Sequence, residues 1–170
     1  MKTTVIRIIL VILILLNFIV IFKFSEQNGL ESGGLSRKVT IGILDIFGDY
    51  TEPLSEEQEV QVSNVQFVIR KLAHFSIYAI LGVLLMSLAE TYEFSNKKKI
   101  ILSLLVGLLY ASLDEFHQSF VPGRTAAITD VLIDTLGVIA GIIIIFLGIK
   151  ILKRKREKTK KVKWQIIRFI

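Results

Sequence analysis

Four apolar stretches dominate the chain and decide what it can become. They run over about residues 5–24, 67–89, 99–118 and 126–152, and each has the roughly 20 residues needed to cross a bilayer core. A soluble bundle would interrupt such runs with polar residues every three or four positions on its outer faces. Runs such as "IILVILILL" and "GVIAGIIIIFLGI" contain none. Composition agrees: 52% of the 170 residues are hydrophobic, above the range of an ordinary soluble domain. The expected fold is therefore all-α, a four-helix transmembrane bundle. There is no cysteine, so disulfides, thiol catalysis and thiolate metal sites are excluded.

The first apolar run reads as an uncleaved anchor: it is long, and "KFSEQN" follows it instead of a small-residue cleavage site. Basic residues set the expected orientation. Lys2, the "NKKK" loop between the second and third spans and the "KRKREKTKK" tail all belong on one side, which the positive-inside rule makes the cytoplasm. Both termini are then cytoplasmic. Residues 25–66 form an extracytoplasmic segment and 153–170 a basic cytoplasmic tail. In the outer segment, "SEQNGLESGGLS" reads as a Gly/Ser-rich loop and "VTIGILDIF" as a stretch lying on the membrane surface or packing on the bundle. Ser55 and Gln58 are spaced as a capping box for a helix running into the second span. The tail is expected on anionic lipid headgroups, with "WQIIRF" as an interfacial anchor. Membrane lipids, not nucleic acid, are its expected partners.

Against this background, "DEFHQSFVPGRTAAITDVLID" is dense in ionisable groups. Counted at 1.5 Å per residue from the cytoplasmic end of each helix, His74, Asp114 and Asp134 all sit about 22–24 Å up, in the outer third of the core. Helical phase collects each set on one face. Lys71, His74, Tyr78, Gly82 and Ala89 share a stripe about 80° wide. Ser103, Gly107, Tyr110, Asp114, His117 and Gln118 share one of about 100°. Asp130, Asp134, Gly137, Gly141 and Gly148 share one of about 60°. Small residues permit close helix approach, and polar ones must face protein or water, so each stripe is expected to face inward. The first helix offers only Asn17, in a supporting role. Pro122-Gly123 suits a type II turn, which makes the third and fourth spans antiparallel neighbours. Thr125 is placed to cap the fourth, with Asp130 near its positive end.

These residues resemble a known family. "RKLAHFSIYAILGVLL" followed by "DEFHQSFVPGRTAAITDVLIDTLG", together with "FSEQNGLES" after the first span, is similar to the VanZ-like family of bacterial integral membrane proteins. The spacing of K-x-x-H-F-x-x-Y, D-E-x-x-Q, P-G-R and a downstream Asp carries the resemblance. Asp134 departs from it, since many members carry Asn there. The resemblance implies a bacterial cell membrane location and a link to resistance against teicoplanin and related lipoglycopeptides, or to maintenance of the cell envelope.

Several chemistries fit the cluster. In a structural reading, Lys71 and Arg124 pair with Asp114, Asp130 or Asp134 and lock helix ends, while Tyr78 and the glycines simply pack. Ionisable groups inside a membrane are costly, however, and read as functional by default. As an enzyme at the outer leaflet, the chain would use His74 or His117 as general acid or base with Asp114 and Asp130 orienting it, and Lys71 and Arg124 holding a phosphate. The substrate class would be a lipid-linked cell-wall precursor or a phospholipid. As a binder, a pocket including Lys71, Tyr78, Glu115, Gln118, Arg124 and Asp134 would hold a lipid headgroup or a lipoglycopeptide. No cofactor is expected. A divalent metal is a minority reading through His74, Asp114 and His117, because Asp114 and His117 supply only one of the two acid-x-x-His motifs a carboxylate-bundle site uses. A proton-coupled carrier is a third reading.

Overall fold

The computed structural model describes residues 2–26, 29–50, 53–124 and 126–168, with the side chains of 29–32 and 160–168 left out of the description. Among the described residues the regular elements are all helices, without strands: α1 Lys2–Glu26, α2 Gly29–Leu44, α3 Glu56–Glu90, α4 Asn96–Gln118 and α5 Ile128–Arg168. α1, α3, α4 and the Ile128–Thr159 part of α5 are each long and apolar enough to cross a membrane. The protein is thus an all-helical, multi-pass membrane protein, as the apolar runs predict. Its broad exposure of large apolar residues fits lipid as the solvent: Ile9, Leu16, Leu109 and Ile144 are each more than half exposed.

The spans alternate in direction, so α3 runs parallel to α5 and α1 parallel to α4, while α1 packs on both α3 and α4. α3 and α5 share the most extensive interface, and glycine makes it possible. A Cβ on Gly141 would lie 2.1 Å from the Ala79 carbonyl oxygen, and one on Gly82 would lie 2.2 Å from that of Val138. One on Gly137 would lie 2.4 Å from the Phe75 carbonyl. Only hydrogen side chains let the two backbones touch. Gly107 of α4 likewise admits the Val138 side chain. Gly148, on the same sequence stripe, meets nothing within 4 Å, so the stripe's packing role stops above it. α1 runs alongside α4: Phe18 stacks on Tyr110 with centroids 3.9 Å apart, and the Tyr110 hydroxyl donates to the Phe18 carbonyl at 2.7 Å. At the Glu90 end, Arg7 donates to Thr91 through Nε (3.0 Å, Oγ1) and Nη2 (2.6 Å, carbonyl), and Lys99 pairs with Glu90 at 2.8 Å.

Two segments differ from the sequence expectation. "GLESGGLS" is not a loop but the first half of α2. α2 folds back on the start of α3: Gln66 Nε2 donates to the Gly33 carbonyl and to Ser36 Oγ, both at 2.8 Å, and Arg37 makes two bonds to Glu59, at 2.7 and 2.8 Å. These tertiary contacts outweigh glycine's poor helix propensity. The basic tail is also helical, because α5 runs unbroken to Arg168, a length of about 60 Å. Lys, Arg and Glu are good helix formers, so charge ends the span without ending the helix. The side chains of the "WQIIRF" anchor lie outside the described ones.

The capping box stands as expected: Ser55 Oγ accepts from Gln58 N, and the Gln58 side chain accepts from Ser55 N at 2.9 Å. So does the α4–α5 turn. Gly123 has φ 75° and Arg124 N donates to the Val121 carbonyl at 3.1 Å, as a type II turn requires. Thr125 lies outside the described residues.

Candidate functional site

The stripes converge at the α2 end of the bundle. In register along the parallel α3–α5 pair, Lys71 Nζ pairs with Asp130 Oδ1, and His74 Nδ1 lies 3.5 Å from Asp134 Oδ1. Asp134 is 1% exposed, and neither of its oxygens has a hydrogen-bond partner among the described residues. Asp114 reaches the same point from α4. Donor atoms of His74, Asp114 and Asp134 lie within 4.8 Å of one another, so three helices supply one cluster. Tyr78, fully buried, has its hydroxyl beside both aspartates.

Asp114 is held by a chain of hydrogen bonds. Its Oδ2 accepts from Ser25 Oγ at 2.8 Å and from Gln118 Nε2 at 3.1 Å. Gln118 Oε1 in turn accepts from Arg124 Nη1 at 3.0 Å, and Arg124 Nη2 donates to the Phe24 carbonyl at 3.0 Å. Sequence reasoning missed Ser25. It gave α1 only Asn17, whose Oδ1 is buried and makes no hydrogen bond to a described residue. Ser25 closes the apolar run and lies in α4's path, but a lone serine at a helix end carries no signal of its own.

Two expected members of the cluster are elsewhere. His117 packs its ring against Phe22 of α1, with centroids 4.7 Å apart, and is not part of the His74–Asp114–Asp134 group. Glu115 is buried and turns to α5, where its Oε1 accepts from Ala127 N at 2.6 Å just ahead of the helix. It satisfies one of the free amides at a helix start, a local role.

A pocket of about 320 Å³ opens beside the cluster, between α1, α2 and α3. Its walls are mostly apolar, including Ile21, Leu35, Val39, Ile69 and Ile77. Arg70, His74 and Arg124 supply its charged and titratable groups. The sequence reading placed the carboxylates on the pocket wall. They are instead buried between helices or paired with Lys71, and His74 alone belongs to both the cluster and the pocket. Arg70, not singled out for the site from the sequence, is added. Burial first, and then the nearby charge of Arg70, pull Arg124 below the ordinary arginine pKa. Two like charges on one pocket wall favour an anion between them.

Chemically, the arrangement offers an apolar slot headed by two guanidinium groups, with an imidazole in its wall backed by buried carboxylates. No curated protein and no solved structure gives a match. A sequence model described as VanZ/LLP1 matches residues 9–151, which reaches into all four spans and includes every member of the cluster, and the protein therefore belongs to the VanZ/LLP1 family.

Proposed function

We propose that the protein binds an anionic amphiphile at the outer face of a bacterial cell membrane, and thereby contributes to teicoplanin and lipoglycopeptide resistance or to envelope maintenance. The pocket carries this reading. Its apolar walls suit an acyl or prenyl chain, and Arg70 and Arg124 suit a phosphate, which guanidinium groups recognise by paired hydrogen bonds. A phospholipid or a lipid-linked cell-wall precursor has both parts. A cationic amine is less well served, because Asp130 is paired with Lys71 and both Asp114 and Asp134 are buried between helices. The basic loop and tail support an orientation with both termini in the cytoplasm and the pocket end outside.

The test is binding of labelled phospholipid and labelled lipid-linked precursor to the purified protein, beside lipoglycopeptide susceptibility of cells carrying it. Saturable binding that weakens in Arg70→Ala and Arg124→Ala supports the reading. Equal binding by these variants contradicts it. A second reading, an enzyme acting on the same amphiphile, is favoured by His74, which joins the pocket to the carboxylates as a general acid or base would. Appearance of a new lipid product that is lost in His74→Ala selects it.

A further inference from the structure

Asp134 poses a problem that the pocket does not solve. It is 1% exposed within a membrane span and makes no hydrogen bond to any described residue. An unpaired carboxylate in such surroundings is strongly disfavoured. Its neighbours do not neutralise it. Lys71 is committed to Asp130. Arg124 donates to Gln118 and the Phe24 carbonyl. The His74 contact, at 3.5 Å, is longer than a good hydrogen bond. Asp114 adds a second carboxylate at the same point.

We infer that His74, Asp114 and Asp134 form a three-ligand site for a divalent cation, one donor each from α3, α4 and α5. The charge balances: two carboxylates meet one dication, with imidazole neutral. The donors, all within 4.8 Å of one another, need to close by about an ångström or less to surround one ion at bonds of about 2.0–2.2 Å. One imidazole with two carboxylates is a nitrogen–oxygen set of the kind that Zn²⁺ or Mn²⁺ takes. Outer partners are also in place. Ser25 and Gln118 hold Asp114 through Oδ2. This is the supporting hydrogen bonding that orients ligands in metal sites. The site differs from the pair Asp114 and His117 suggested by their i, i+3 spacing, because His117 turns towards Phe22. It also stands independently of amphiphile binding, although His74 brings the ion to the pocket wall.

The experiment uses the full chain in detergent micelles, stripped with EDTA and titrated with Zn²⁺ and with Mn²⁺, metal content being measured after desalting. The expected result is one equivalent of cation retained. Affinity should fall at least tenfold in His74→Gln and in Asp134→Asn and stay unchanged in His117→Gln. Thermal unfolding gives a second readout. The cation should raise the Tm of the unmodified protein, while Asp134→Asn should raise the Tm of the stripped protein and respond no further to cation. Failure of the unmodified protein to retain stoichiometric metal overturns the site, whatever the variants do. So does retention by Asp134→Asn and His74→Gln at the original affinity. Because lipid binding is not part of either readout, its failure leaves this result distinguishable.

Discussion

Most of the decisive chemistry sits in side chains whose partners lie far away in the chain. Lys71 finds Asp130, and Ser25 finds Asp114. The type and face of Lys71, His74, Asp114 and Asp134 are legible in the sequence, because an ionisable residue in a span must face inward. What each one touches is not, because helical phase gives direction without distance. Ser25 is the clearest loss, and His117 packs on Phe22 rather than joining the His74–Asp114–Asp134 group. Both lie at helix ends, where rotation of the neighbouring helix decides the contact. The pairings have measurable worth. Ser25→Ala should destabilise the protein by about 1 kcal/mol, between the modest average for bonds inside membranes and the larger value for bonds to charged acceptors. Lys71→Met should cost about 2 kcal/mol, since it strands a partly buried Asp130, and Lys71→Met combined with Asp130→Asn should recover much of that. Reversible unfolding in mixed micelles measures both, and additivity of the two changes in the second case would contradict the pair.

The elements were more readable than their limits. Apolar runs fix four spans because a bilayer demands their length, and the Ser55–Gln58 box fixes the start of α3. α2 was hidden because glycine and serine usually mark loops, and here the contacts of Gly33, Ser36 and Arg37 with α3 override that tendency. The end of α5 was hidden for the opposite reason: a change from apolar to basic residues marks the membrane boundary but not a helix stop. Close packing of α3 on α5 is the element-scale feature most open to test. Gly141→Ala should cost about 2 kcal/mol or more, since its Cβ would meet the Ala79 carbonyl oxygen. Gly148→Ala should be neutral or stabilising by up to about 1 kcal/mol, because glycine is a poor residue in a helix interior and nothing lies near. The same unfolding assay compares them, and equal effects would sink the packing account.

At the scale of the molecule, one end of the bundle carries structural ties and the other carries chemistry. Arg7, Thr91, Glu90 and Lys99 bind α1, α3 and α4 together at the Glu90 end. The α2 end holds the aspartates, His74 and the arginine-headed pocket. In the proposed orientation the latter lies outside the cell. Because the chain has no cysteine, single cysteines report this directly. Gly34→Cys should react with a membrane-impermeant thiol reagent in intact cells, and Ser95→Cys only after permeabilisation. The reverse pattern would invert the topology and place the pocket in the cytoplasmic leaflet.

Anion capture by the pocket and its two arginines is tested by quantitative binding of a fluorescent anionic phospholipid to the full chain in micelles, alongside a zwitterionic lipid of the same chain length. Saturable binding of the anionic lipid is expected, weakening at least tenfold when Arg70 and Arg124 are both changed to alanine, with the zwitterionic lipid bound weakly by all. Equal affinity for the two lipids, or an arginine-free variant that binds as the original does, would contradict it.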